Sequence, residues 1–402
     1  MINKKVSLVI LVVFFLLSAY SSYSYFSGTD VSGILSPLTA ITSKKPDDTK
    51  NKSVDVDEIT EPRTEECPLN GEMLPKSYRD KWEKRRPLGV MIENHVEARP
   101  QSGLSSADIV YEAVAEGGIT RFMTVFYCRD AATVGPVRSA RIYFVKTIQE
   151  YSNYPLYAHV GGANCDKESG SGCANGAKAD ALGTISKLGW SSYNDLNQFS
   201  VPFPNFWRDY ERLPNVVTEH TVYTSTAKLW TYAKEKRKLS NVDEEGVSWD
   251  KTFSKWKFQD DATVDKRGSV VKISFSFWSN LKSDFAVDWN YDKNTNTYSR
   301  VNGGKPHLDK NNNKQLTAKD VVVVFADESS ANDDYPGGHI LYDLIGSGDG
   351  LVFQNGNAIK ATWKKADEET RMRFYDENSK EIEIVRGKVF VEILPTGNNV
   401  TY

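Results

Sequence analysis

The residues best equipped for chemistry lie in the run Gly135-Pro136-Val137-Arg138-Ser139-Ala140-Arg141. A glycine followed by a proline reads there as the start of a helix, where unpaired backbone N–H groups and the positive end of the dipole favour an anion. On that helix Arg138 and Arg141, three residues apart, share one face. Two guanidinium forks beside free N–H groups would receive a phosphate or a carboxylate. The same arginines have a structural alternative, pairing with Glu112, Glu116 or Asp209 to lock the fold. Arg121 belongs with them. It follows Glu116-Gly117-Gly118-Ile119-Thr120 at the mouth of a strand, where glycines let a ligand come close. Asn94, His95 and Arg99 follow an earlier strand in the same way. If those strands are parallel neighbours, their end loops meet at one edge of a sheet.

Acid–base chemistry has a second set of candidates. His159 ends a short strand before Gly161-Gly162, and His220 follows Glu219; with Asp209 they supply proton-transfer groups. Glu112 and Glu116 are a possible carboxylate pair for glycoside hydrolysis. Against this, a histidine is usually held by structural hydrogen bonds, and a carboxylate in a strand is usually an ion-pair partner. The sequence has no Gly-x-Ser-x-Gly, no His-Glu-x-x-His, no Walker phosphate loop and no dinucleotide fingerprint. Gly346-Ser347-Gly348-Asp349-Gly350 stands between two β runs, so we read it as a hairpin loop, not a phosphate cradle. No cofactor and no metal are expected. A net charge of −3 with mixed signs gives no reason to expect nucleic acid as a partner.

These groups need elements to hold them. Apolar runs at residues 88–92, 109–114, 122–127 and 156–160 read as strands. Residues 137–151, 174–188 and 224–238 read as helices, the first from Ile142, Val145 and Ile148 at helical spacing. Strands mixed with helices imply an α/β or α+β domain. After a polar stretch at 241–264 the pattern changes to nine short β-branched or aromatic runs, from 270–277 to 389–394. Among them Asn355-Gly356 is a strong hairpin signal, because both positions tolerate positive φ. Trp289, Tyr291, Trp363, Phe374 and Tyr375 are either an aromatic surface for sugars or proteins, or the core of this β-rich part.

The N-terminus sets the compartment. Lys4 and Lys5 precede residues 6–26, which carry no charge and can cross about 30 Å of hydrocarbon as a helix. Ser18 and Tyr20 make a poor cleavage pair, which favours a retained anchor over a cleaved signal. Residues 28–66 are polar and too poor in apolar side chains to fold, apart from a short patch at 34–41, so they read as a tether. Four cysteines then sit where disulfides persist. Cys165 and Cys173 flank a Gly/Ser-rich stretch and suit one bridge, leaving Cys67 and Cys128 for the other. A zinc site fits poorly, because no cysteine has a Cys-x-x-Cys neighbour.

RRPLGVMIENHVEARPQSGLSSADIVYEAVAEGGITRFMTVFY at residues 85–127 resembles the YerB family of bacterial envelope proteins. GPVRSAR, AHVGGA, FWRD (with Arg208 and Asp209), EHTVYTS, YDKNTNTYSRVNGGKPHLD and the closing TRMRFYD…PTGNNVTY continue the likeness in order. The resemblance implies an N-terminal α/β domain with flanking helices, then a smaller β-rich C-terminal domain, carried on a lipoprotein signal or a membrane anchor. It implies no activity. The expected plan is therefore an anchor at 1–27, a tether at 28–66 and domains at 67–245 and 265–402, with overall class α+β. The lipid-bearing cysteine of lipoprotein members is absent here.

The reading that follows is a non-enzymatic, extracytoplasmic binding or scaffold protein at the cell membrane. Its arginine-lined cleft would hold a cell-wall component or a wall-synthesis protein. A wall-modifying hydrolase or transferase, using Glu112 or Glu116 with His159 or His220, is the alternative. A partner domain acting through the β-rich half is a third.

Overall fold

The computed structural model describes residues 60–402; the expected anchor and nearly all of the expected tether lie outside them. No helix among the described residues is long and apolar enough to cross a membrane. Among the described residues the span read as tether already carries structure, since Arg63–Glu66 is a strand paired antiparallel with Met73–Pro75. Cys67 is bonded to Cys128 and Cys165 to Cys173, the two expected pairs.

The continuous apolar runs become the centre of an eleven-stranded sheet, because a strand covered on both faces needs no polar alternation. From one side its order is Arg373–Tyr375, Asn357–Lys365, Gly346–Gln354, Asp320–Ser330, Val389–Pro395, Ile109–Glu116, Ile119–Phe126, Leu88–Glu93, Leu156–His159 and Asp195–Asn197, with Ile340–Asp343 paired beside Asp320–Ser330. The sheet runs unbroken from the β-rich half into the first half. The join is the parallel pair Val389–Pro395 and Ile109–Glu116, which sets Glu392 opposite Glu112. A smaller sheet, built on Lys272–Phe275, Val287–Asp292 and Thr297–Asn302, lies across that join. Its Trp289 packs edge-on against Phe390 of the main sheet, ring centroids 4.8 Å apart. The fold is the expected mixture of α and β. Its longer helices, Lys76–Trp82, Ile142–Ile148, Ala181–Lys187 and Thr226–Lys236, all fall in the first half.

Asn355 (φ 51°) and Gly356 (φ 69°) make the tight turn between Gly346–Gln354 and Asn357–Lys365, as their positive-φ tolerance predicts. Three readings need correction. The helix expected from residue 137 begins at Ile142. Before it, Val137 N donates to Val222 O (2.7 Å), Arg138 N to Met91 O (2.9 Å) and Ala140 N to Gly161 O (3.0 Å). Neighbouring chain segments take these N–H groups, so no helical turn forms. The helix expected at 174–188 is a 3-10 turn, Ala174–Gly176, followed by Ala181–Lys187, which Asp180 caps by accepting from Gly183 N. The Gly346–Gly350 run is strand, not loop, paired with Lys365 through Ala361. Its glycines serve packing: a Cβ on Gly348 would lie 2.7 Å from the Trp363 indole nitrogen. Trp363, Phe374 and Trp289 are buried, so these three belong to the core rather than to an aromatic surface.

Candidate functional site

Leu88–Glu93, Leu156–His159 and Asp195–Asn197 are parallel neighbours, so their C-terminal ends reach one edge of the sheet. Ile119–Phe126 runs the other way, and its register places Arg121 opposite Glu93 at that same edge. The segment before Ile142 closes over it through bridges of Val137 to Ile92 and Ala140 to Gly162. This convergence gathers Arg121, Arg138 and Arg141. The helix N-terminus assumed for them is not what brings them together: Arg141 precedes the helix in an extended conformation.

Their counter-charges are few. Arg138 Nε lies 3.1 Å from Glu93 Oε2, Arg141 pairs with Glu116, and Arg121 Nη2 is 3.7 Å from Glu116. Arg121 also donates to Ser139 O (3.1 Å) and Arg141 to Ala140 O (2.7 Å). The Nε–H groups of Arg121, Arg138 and Arg141 are buried and make no hydrogen bond, that of Arg138 being only ion-paired. Burial, and after it the neighbouring Arg141 charge, pulls Arg121 down to about 10, which leaves it charged at neutral pH. Burial acts to raise the Glu93 pKa. The His220 bond and the Arg138 and Arg121 charges outweigh it and hold that carboxyl below its ordinary range. His220 Nδ1 is 2.7 Å from Glu93 Oε2, and that bond raises the His220 pKa. His95 stacks on His220, with centroids 5.0 Å apart.

The remaining candidates go elsewhere. Glu112 is buried beneath the small sheet. Its Oε1 accepts from Asn94 Nδ2 (3.0 Å) and Thr120 Oγ1 (2.5 Å), and its other oxygen pairs with Arg300. Asn94 is wholly engaged there, and Arg99 turns from the edge to donate to Asn94 and to Asp284 O (2.7 Å). His159 is bound at both nitrogens, to Gly161 O (2.6 Å) and Asp195 Oδ1 (2.7 Å). Arg208 donates to Thr218 O and Thr221 Oγ1, and Asp209 caps its own turn through Glu211 N and Arg212 N. The acid–base sets are thus not assembled: the carboxylates on the two histidines are Asp195 and Glu93, not Glu112, Glu116 or Asp209.

Sequence reasoning missed Glu93, Glu97, Asp195, Arg300 and Glu392. Arg300 was within reach, since it shares the inward face of its strand with Tyr298 and Asn302. Glu93 stands directly before Asn94 at the end of an apolar run. Nothing local marks Asp195 or Glu392.

Residues 75–240 match the model of the N-terminal domain of DUF3048, a protein of unknown function, and residues 273–391 match that of its C-terminal domain. The chain is 32% identical over 317 residues to the Bacillus subtilis (strain 168) protein named Putative lipoprotein YerB, across 78% of this chain and 82% of that protein. It is also similar to the crystal structure of the YerB protein from Bacillus subtilis, at TM-score 0.65 and 29% identity, covering 84% of this chain and 100% of that one.

Proposed function

The chain belongs to the DUF3048 family, and we propose that it is an envelope-associated binding protein whose arginine-rich sheet edge holds an anionic, extracytoplasmic ligand. The name of the Bacillus relative, Putative lipoprotein YerB, supports the location. So do two disulfides, which persist in oxidising compartments. The observation that carries the ligand class is charge excess: three guanidinium groups face two carboxylates at the strand ends, and the buried Nε–H of each makes no hydrogen bond. Buried donors without acceptors are costly, and an incoming phosphate or carboxylate oxygen satisfies them. The side chain of Arg138 is 27% exposed and Gly161-Gly162 border the edge, so access is open. In the envelope the matching chemistry is a wall-polymer phosphate or a peptidoglycan carboxylate.

Calorimetric titration of the full-length protein in detergent, with poly(glycerol phosphate) and separately with a muropeptide, distinguishes the two. Binding weakened about tenfold or more in Arg138→Ala/Arg141→Ala, a loss of roughly 1.4 kcal/mol, is the expected outcome. Unchanged binding by a variant with native circular dichroism would remove this edge as the site.

A further inference from the structure

We propose that His95, Glu97 and His220 form a binding site for a divalent transition-metal ion of the zinc class, with a fourth position open to water or an anion. Each of the three offers a ligand atom, and those atoms lie within 4.8 Å of one another. His95 and Glu97 come from one 3-10 turn, Val96–Ala98 with His95 as its cap, and His220 from another, Thr218–His220. Two turns from distant parts of the chain therefore present nitrogen and oxygen to a common point.

The spacing fits an ion better than a hydrogen bond. His220 Nε2 is 3.5 Å from Glu97 Oε2, beyond ordinary hydrogen-bond length. Two ligands of a tetrahedral ion, each bound at about 2.1 Å, stand about 3.4 Å apart. His95 lies stacked on His220, and its Nδ1 is held only by a long bond from Glu97 N (3.3 Å). That ring is partly exposed, and it already offers a nitrogen within 4.8 Å of the other two ligand atoms.

The outer shell is already built. Glu93 engages His220 Nδ1 at 2.7 Å, which directs the Nε2 lone pair toward Glu97. Carboxylate–histidine–metal relays have this arrangement. Arg138 in turn holds Glu93. The other close group among the described residues, Cys67, Asp108 and Cys128, has no thiolate to offer because its cysteines are joined.

Untagged full-length protein in detergent, stripped with chelator, is titrated with ZnCl2 by calorimetry and with Co2+ by visible absorption. One equivalent of saturable Zn2+ and a tetrahedral Co2+ spectrum are expected. His95→Ala and Glu97→Gln, which alter the more exposed members, should each lower affinity by about a hundredfold or more. Glu93→Gln should lower it about 10–100-fold at unchanged stoichiometry. No saturable uptake by the wild type, or wild-type affinity in both His95→Ala and Glu97→Gln, overturns the site. The Co2+ spectrum needs no variant, so the result does not depend on how a substitution folds.

Discussion

Two clusters of arginines and glutamates are bonded very differently in this molecule. At the join between its halves, Arg300 sits between Glu112 and Glu392, all three fully buried. Arg300 Nε donates to His307 Nδ1 (3.1 Å), and the far ring nitrogen meets Gln101 Oε1 (2.7 Å). Trp289 donates to Glu392 (3.1 Å), and Asn94 and Thr120 donate to Glu112. Every one of these three side chains is tied to protein groups, with Glu392 Oε2 the one oxygen left without a hydrogen bond. At the sheet edge, three arginines share two carboxylates, Arg138 and Glu116 are partly exposed, and buried N–H groups stay unused. Residue type alone does not separate the two clusters; how far the surrounding protein bonds each guanidinium does. A buried ion pair contributes little net stability, but breaking one leaves a stranded charge, whereas an incompletely bonded edge has capacity for something else.

Arg300→Met attacks the first cluster hardest, since it leaves two facing glutamates buried without a cation. We expect a loss of about 3–5 kcal/mol, read as a lower urea midpoint at unchanged slope; a change below about 1 kcal/mol would erase the contrast. Glu112→Gln comes next. Its new amide N–H groups face the Arg300 donors, and a buried unsatisfied donor costs about 1–3 kcal/mol. Glu392 sharpens the comparison through pH. Burial first, then the adjacent Glu112 charge, raises its pKa despite the opposing pull of Arg300. The folded state thus holds a proton that the unfolded chain releases near pH 4.3. Stability from this group is full below that pH and declines as pH rises toward the folded value, by at most about 1.4 kcal/mol per unit. Glu392→Gln should flatten that decline, and an unaltered pH profile would show that Glu392 is not the proton carrier. Smallest of all is the stability effect of Arg138→Ala at the edge. Less than about 1 kcal/mol is expected for a partly exposed pair, alongside the loss of anion binding described above. A larger destabilisation would make the edge a second lock.

The first-half strands were legible because continuous Val, Ile, Leu and Phe runs bury on both faces wherever they pair. The gathering of Arg121 with Arg138 was legible only as a conditional, resting on strand direction. Arg141 looked helical because Ile142, Val145 and Ile148 do lie in a helix, but its Pro136–Ala140 approach is tied to other chain segments. Glu112 looked like a candidate acid because Glu116 lies close by in the sequence as a second carboxylate; its actual partner, Arg300, is far away in the chain.

By itself the sequence determined the local choices: which runs extend and where Asn355-Gly356 turns. Those depend on neighbours within a few residues, through side-chain period and backbone tolerance. Tertiary structure alone decided which arginine meets which carboxylate. That depends on the pairing of Val389–Pro395 with Ile109–Glu116 and on the order of strands at the edge. A one-residue slip in either register would face different side chains across the sheet, and no short stretch of sequence contains that information.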